Sequence, residues 1–294
     1  MRIAVTGAQG QVARSLIERG KEAGVDVIAL ARPALDLACP ASVLPALRAA
    51  TPDMIVSAAA YTAVDLAETE EAQARRINAE GAGAVAAAAR ELDSPVLHLS
   101  TDYVFDGRLD RPYREGDATG PINAYGRSKL AGEVAVREVT PRHVILRTAW
   151  VYSPFGKNFL RTMLALGETR PTVGVVADQI GQPTSALDIA DGILAICDRL
   201  KKEPDESMFG TFHMAGVGGA SWADFAEAIF AEAERCGRPR VTVTRIATKD
   251  YKTAARRPAN SRLDTTKLAE IYGVVLPPWR NALPAIVERV LRSG

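Results

Sequence analysis

Two hydrophobic rhythms alternate along the first half of the chain. Short, almost unbroken apolar runs of β-favouring residues stand at Arg2–Thr6, Val25–Leu30, Met54–Ser57, Val96–Ser100 and Val144–Arg147. Runs of this kind predict strands buried on both faces. Between them lie helical stretches over Gln11–Ala23, Ala41–Ala50, a long one through Glu68–Leu92, and Ala124–Glu138. Strands alternating with helices imply an α/β fold: a doubly wound parallel sheet with right-handed crossovers and helices on both faces.

After Trp150 the rhythm changes. Pro154, Gly156, Pro171, Gly174, Gly181 and Pro183 punctuate shorter elements. Ser221-Trp222-Ala223-Asp224 has the spacing of a capping box, and Gly237 suits the end of the helix it starts. Asp264 predicts the start of a short helix that stops at Gly273. The acidic, proline-containing stretch Lys202–Ser207 reads as a surface loop. The expected division is a larger region over residues 1–150 and a smaller one over 151–294, some of whose segments return to the main sheet.

Composition narrows the partners. The 294 residues are 47% hydrophobic and 24% charged, which fits a folded globular chain. Lys and Arg total 36 against 35 Asp and Glu, so no global field draws in nucleic acid or an anionic membrane. A local basic cluster can still hold a small anion. Cys39, Cys197 and Cys236 are widely separated and have no metal-type spacing, which predicts small buried or half-buried thiols in a reducing compartment and no disulfide framework. The apolar run that opens the chain is too short for a signal peptide, and Ala82–Ala89 falls far short of a membrane span. A cytoplasmic location is expected.

Gly7-Ala8-Gln9-Gly10-Gln11-Val12-Ala13 follows the first strand and opens the first helix. Gly7 permits a tight turn, Gly10 lets a pyrophosphate approach the backbone, and the small Ala13 lets helix and strand pack closely. The anion would rest on free N–H groups at the helix N-terminus. At this junction the motif predicts dinucleotide binding by residues 1–150, a sheet of Rossmann type, and substrate binding mainly by 151–294. The second strand ends in Ala29-Leu30-Ala31-Arg32, with no acid to hold an adenosine ribose. Arg32 suits the extra phosphate of NADPH instead, NADH remaining possible, and Asp36 and Leu37 are placed to border the adenine.

Tyr125-Gly126-Arg127-Ser128-Lys129 begins a predicted helix, and its spacing puts Tyr125 and Lys129 on one face, one turn apart. A free phenol titrates near pH 10, and a neighbouring ammonium is expected to lower that value. The lysine can also hold the nicotinamide ribose. Ser100-Thr101-Asp102-Tyr103 follows the fourth strand, so Thr101 stands at the carboxyl end of the sheet, where it can hydrogen-bond a substrate carbonyl. Thr101, Tyr125 and Lys129 are the candidate catalytic residues.

The chain resembles the extended short-chain dehydrogenases, and within them the dTDP-4-dehydrorhamnose reductases. Markers are the glycine loop, Ala58-Ala59-Ala60-Tyr61-Thr62-Ala63-Val64-Asp65, Ser100 through Phe105, Tyr125 through Lys129 and Arg147-Thr148-Ala149-Trp150-Val151-Tyr152. Asn158-Phe159, Asp178-Gln179-x-Gly181-x-Pro183-Thr184 and Ala255-Arg256-Arg257-Pro258-x-Asn260-Ser261 complete the set. The resemblance implies reduction of the C4 keto group of dTDP-4-dehydro-β-L-rhamnose. It also implies that Ala59, Ala60 and Asn78 line the cofactor site. Val64, Asp65, Tyr103 and Trp150 would border the sugar, with Arg256, Arg257 and Asn260 nearby. An arginine pair also suits a diphosphate on chemical grounds, through bidentate hydrogen bonds.

Some relatives form dimers bridged by magnesium through two glutamates; the matching positions here are Ser15 and Leu187. Neither ligates a hard cation, so no structural metal is expected and the chain is read as monomer or homodimer. His98, His143 and His213 share no ligand spacing and suit strand or core positions. Dehydratases of this architecture carry Asp-Glu after the threonine; this chain has Asp102-Tyr103, which argues against dehydration. An epimerase, and a non-catalytic protein like the regulatory subunit of methionine adenosyltransferase, are the competing readings.

Overall fold

The computed structural model describes residues 1–292. The first half runs β1 (Arg2–Thr6), α1 (Gln11–Glu22), β2 (Asp26–Leu30), α2 (Val43–Ala50), β3 (Met54–Ser57), α3 (Glu71–Arg75), α4 (Ala82–Glu91), β4 (Val96–Thr101), α5 (Ala124–Val139) and β5 (His143–Thr148). These follow the sequence pattern closely, with one difference. The long helix expected over Glu68–Leu92 is interrupted by a wide π-type turn at Arg76–Gly81. There the carboxamide of Asn78 is turned inward, onto the loop that follows β3.

The second half runs β6 (Val151–Tyr152), α6 (Phe159–Gly167), β7 (Thr172–Val176), β8 (Ile180–Gly181), β9 (Thr184–Ser185), α7 (Ala186–Lys202), β10 (Gly210–His213), β11 (Ala220–Ser221), α8 (Trp222–Arg235), β12 (Thr242–Ile246), α9 (Thr266–Tyr272) and α10 (Trp279–Arg292). The capping box at Ser221 and Asp224 is formed, and Gly237 follows α8 in a left-handed conformation. Asp264 accepts from the backbone of Thr266, and left-handed Gly273 ends α9. The exposed loop expected at Lys202–Ser207 is present but shorter, over residues 203–205, since α7 runs through Lys202 and a helical turn begins at Glu206.

Six parallel strands form the main sheet in the order β2-β1-β3-β4-β5-β10, so a strand from the second half returns to it. Alternation along β1 explains the layers. Ile3 and Val5 face α1 and α7, packing with Leu16, Ile189 and Ile193. Ala4 faces the opposite layer, with Leu47 of α2 and Val85 of α4. A separate apolar core joins α6, β7, α8 and α10 through Leu160, Val173, Phe225, Ile229 and Leu283. Chain order reverses between β1 and β3, and ligands of such sheets bind at the carboxyl ends beside that switch point. Among the described residues no helix is long and apolar enough to cross a membrane.

Candidate active site

Gly7 leaves β1 at φ +87, and a Cβ there would stand 3.3 Å from the Cβ of Ala59, which follows β3. The turn needs glycine for its backbone angle and for this close approach across the switch point. The Thr6 hydroxyl accepts the N–H groups of Ala58 and Ala59, each at 3.0 Å, locking the two strand ends together. Gly10 is the N-cap of α1 and supplies no side chain to its first N–H groups; space above it is open. That cradle suits a dinucleotide pyrophosphate, held by the loop backbone over Gly7–Val12. Gln11 turns its own side chain away, to the Val151 carbonyl and the Ser153 hydroxyl, tying α1 to the second half.

Arg32 is exposed at the end of β2. Asp36 is turned onto its own loop, accepting from the Ala38 N–H at 2.9 Å, and Leu37 is buried against Gly81 in the layer beneath α4. Asn78 is also buried, and every group of its carboxamide is used: Oδ1 accepts from Tyr61 N, and Nδ2 donates to Tyr61 O and the Ser128 hydroxyl. It therefore fixes the loop around Ala59 and Ala60 against α5 rather than presenting free polar atoms.

Asn123 starts α5 by accepting the Gly126 N–H at 2.7 Å, which places Tyr125 on the first turn and Lys129 one turn on. Gly126 has no substitute here, because a Cβ would meet the Tyr103 carbonyl oxygen at 2.2 Å. The helix thus lies flush on the strand end that carries Thr101. Burial pushes the Tyr125 phenol well above its ordinary range, the Asp102 carboxylate adds to this, and the Thr101 hydroxyl acts against it. Lys129 was expected to lower the phenol but is not among the charges acting on it. The lysine is itself buried, Nζ donates to the Leu99 carbonyl at 2.7 Å, and burial draws it down to about 8.

Asp102, which entered above only as a mark against dehydration, belongs to the site. Burial raises its carboxyl to about 6, and Oδ1 accepts from the Thr101 hydroxyl at 2.9 Å. Phenol, hydroxyl and carboxyl form a short polar run at the carboxyl end of the sheet. Asp102 adjoins Thr101 in sequence, so its neighbour was the available signal.

A cavity of about 360 Å³ opens beside this group, lined by Tyr103, Asp65 and Arg257 on one side and Phe159, Met163 and Trp222 on another. The Tyr103 ring meets Tyr125 edge-on at 5.9 Å. Within this lining the two terminal nitrogens of Arg257 bond Asp65 at 3.1 and 2.7 Å across a sequence separation of 192. Its guanidinium holds the Asp65 carboxyl below the usual carboxylate range.

Other expected substrate neighbours stand further back. Arg256 is exposed and gives its carbonyl to Asn123. The Asn260 carboxamide is engaged with Leu109, Arg111 and Arg262, and Val64 is half-buried next to Asp65. Trp150 is stacked on Trp222 with ring centroids 3.5 Å apart, and it is Trp222 that lines the cavity. Trp222, Phe159, Gln179 and Tyr251 were not chosen from sequence, although the capping box already placed Trp222 at the start of a helix.

Among the described residues no group of three or more acidic, histidine or cysteine side chains is placed to hold a metal ion. Ser15 is buried and the three histidines are buried in strands of the main sheet; of the three free cysteines only Cys197 is buried, while Cys39 and Cys236 are exposed, against the burial expected of them, because Cys39 lies in the loop after β2 and Cys236 at the end of α8.

A parallel sheet with a glycine loop at its switch point, and a tyrosine and lysine one turn apart beside it, defines the short-chain dehydrogenase class. The chain belongs to the family described as the RmlD substrate binding domain, whose model matches residues 1–292. It is 47% identical over 294 residues to a dTDP-4-dehydrorhamnose reductase of Sinorhizobium fredii, covering 100% of this chain and 99% of that one. The solved structure of a dTDP-4-dehydrorhamnose reductase from Clostridium acetobutylicum superimposes with a TM-score of 0.91 at 36% identity, covering 99% and 100% of the two chains. A dTDP-4-dehydrorhamnose reductase from Bacillus anthracis, solved in complex with NADP, gives 0.89 at 35% identity over 97% and 98%.

Proposed function

We propose that this chain reduces the C4 keto group of dTDP-4-dehydro-β-L-rhamnose, with NADPH as reductant, to give dTDP-L-rhamnose. The observation that carries this reading is the polar run Tyr125–Thr101–Asp102 standing beside a cavity lined by Tyr103 and Arg257, in a chain similar along its full length to reductases of that name. Residues 1–150 would form most of the dinucleotide site and 151–294 most of the substrate side. The working unit is a monomer or homodimer in the cytoplasm, with a nucleotide sugar as its small-molecule partner and no nucleic acid.

Gly7 through Val12 would hold the pyrophosphate and Arg32 the adenosine phosphate, near Asp36 and Leu37. Bound there, NADPH supplies the hydride. Thr101 holds the substrate carbonyl oxygen, and Tyr125 gives it a proton. Because burial raises the phenol, Tyr125 is protonated at neutral pH, which is the form an acid requires. Lys129 holds the nicotinamide ribose, and Arg257 holds the diphosphate in place of Asp65.

NADPH oxidation followed with dTDP-4-dehydrorhamnose generated in situ tests the reading. One NADPH consumed per sugar is expected; no turnover with NADPH binding intact would leave a non-catalytic binding protein instead.

Two side chains give sharper tests. Arg257→Ala removes charge-assisted bonds worth about 1.5–3 kcal/mol, so KM for the nucleotide sugar should rise by about tenfold or more while the NADPH Kd holds. A KM equal to wild type would remove Arg257 from the substrate site. Arg32→Ala should erase the preference for NADPH over NADH, by about tenfold in the ratio of kcat/KM values. An unchanged ratio would show that another group reads the cofactor phosphate.

A further inference from the structure

Behind the Tyr125–Lys129 pair lies a buried ion pair that the proposed chemistry does not use. Glu133 stands one turn beyond Lys129 on α5 and is 0% exposed. Its carboxylate accepts the Arg147 guanidinium of β5 bidentately, at 2.8 Å from Nε and 2.7 Å from Nη2. It also accepts the Ser100 hydroxyl of β4 at 2.6 Å, from the residue immediately before Thr101. Arg137, one turn further along α5, approaches at 3.4 Å. One side chain therefore joins the helix of Tyr125 and Lys129 to the strand of Thr101 and to the strand that leads into Trp150. A pair this deeply buried is not explained by stability alone, since apolar residues fill such space as well or better.

Resting on the reading of Thr101, Tyr125 and Lys129 given above, we propose that Glu133 is a positioning residue. Bonded to Ser100 and Arg147, it sets the strand end of Thr101 against the helix of Tyr125, and, one turn from Lys129 on the same helix, it places a carboxylate on the side of the lysine. Among the described residues two buried carboxyl groups stand by this helix, Asp102 and Glu133, and of these it is Glu133 that acts on Lys129. His98 on β4 is held neutral by burial, and Tyr125 on the same helix is a protonated phenol. The turn at Arg76–Gly81 contributes Asn78, which is uncharged, and Arg147 of β5 is a cation already bound to Glu133. Burial draws Lys129 down to about 8, and Glu133 is the charge that opposes this.

The direction of the consequence is fixed. An amide at this position removes the cause that raises the lysine and leaves Arg147 without its carboxylate. Lys129 then loses its proton at lower pH, and the basic limb of kcat/KM moves towards acid. An ion pair that only braced the fold would leave that limb in place.

The test compares Glu133→Gln, Glu133→Asp, Ser100→Ala and Tyr125→Phe with wild type in the NADPH-coupled reduction, over roughly pH 6 to 10. Glu133→Gln should move the basic limb down by about one unit and lower kcat by about tenfold, and Glu133→Asp should restore the limb. If Glu133→Gln does not fold, Ser100→Ala carries the test. It keeps the ion pair, cuts the tie to the strand of Thr101, and should lower kcat by about three- to tenfold with the NADPH KM within about twofold. A limb superimposable on wild type in Glu133→Gln, or an unchanged kcat in Ser100→Ala, overturns the proposal. Full activity in Tyr125→Phe overturns the reading beneath it, so the two failures are distinguishable.

Discussion

Replacing Tyr125 with phenylalanine is expected to lower kcat by about 10³-fold, within the range of a lost general acid, while NADPH binding stays within about twofold. The substitution removes one oxygen and little else. The ring keeps its edge-on contact with Tyr103, and the Asn123 cap that starts the helix is untouched. What disappears is the proton that must reach the carbonyl oxygen as hydride reaches the carbon. In the free protein burial holds that proton on the phenol throughout the neutral range, so wild-type rate should not need acid to supply it. The alkaline fall should instead follow Lys129, whose ammonium titrates at about 8. Steady-state NADPH oxidation gives kcat, and quenching of protein fluorescence by NADPH gives binding. A variant with wild-type kcat would remove Tyr125 as proton donor.

The placing of Tyr125, Lys129 and Thr101 together was legible in the sequence because its signals are local. A glycine loop between strand and helix, a hydroxyl at a strand end, and a tyrosine four residues before a lysine are all set within short stretches. The sheet was legible for the same reason: apolar runs such as Ile3-Ala4-Val5 can only be buried on both sides. What stayed hidden depends on contacts between distant segments. Asn78, placed at the cofactor site by the resemblance, is held by Tyr61 and Ser128, which lie 17 and 50 residues away, so no local signal showed how it is anchored. Arg257 was chosen for a diphosphate without any sign that Asp65 would fill its fork. The sign of a charge effect was hidden too. Spacing put Lys129 on the face of Tyr125, yet burial governs both groups, and the lysine's ammonium is directed to the Leu99 carbonyl.

The second half of the site gives the other large effect, through a glycine that the sequence showed as punctuation and as part of a family marker, with no sign of what it packs against. A Cβ on Gly181 would stand 2.3 Å from Cε2 of the Trp150 indole and 2.6 Å from Cζ2 and Nε1. Those distances are far inside van der Waals contact, and the ring cannot give way cheaply. Its other face is stacked on Trp222 at a 7° interplanar angle, and Trp222 leans in turn on Phe159 at 4.6 Å. The backbone at Trp150 is already left-handed, at φ +46, a conformation in which an aromatic residue is strained. Gly181→Ala should therefore push Trp150 and Trp222 as a unit into the cavity that Trp222 and Phe159 line. Overpacking of this kind costs about 1–3 kcal/mol, so the fold should persist with a lower Tm. KM for the nucleotide sugar should rise by about tenfold or more, equivalent to at least 1.4 kcal/mol of lost binding. NADPH binding should be unchanged, because the Gly7–Gly10 loop lies at the switch point of the main sheet and not in this wall. Thermal denaturation, tryptophan emission and a KM determination read the three effects separately. A lowered Tm with an unchanged KM would mean that the Trp150–Trp222 stack supports the fold without shaping the substrate site.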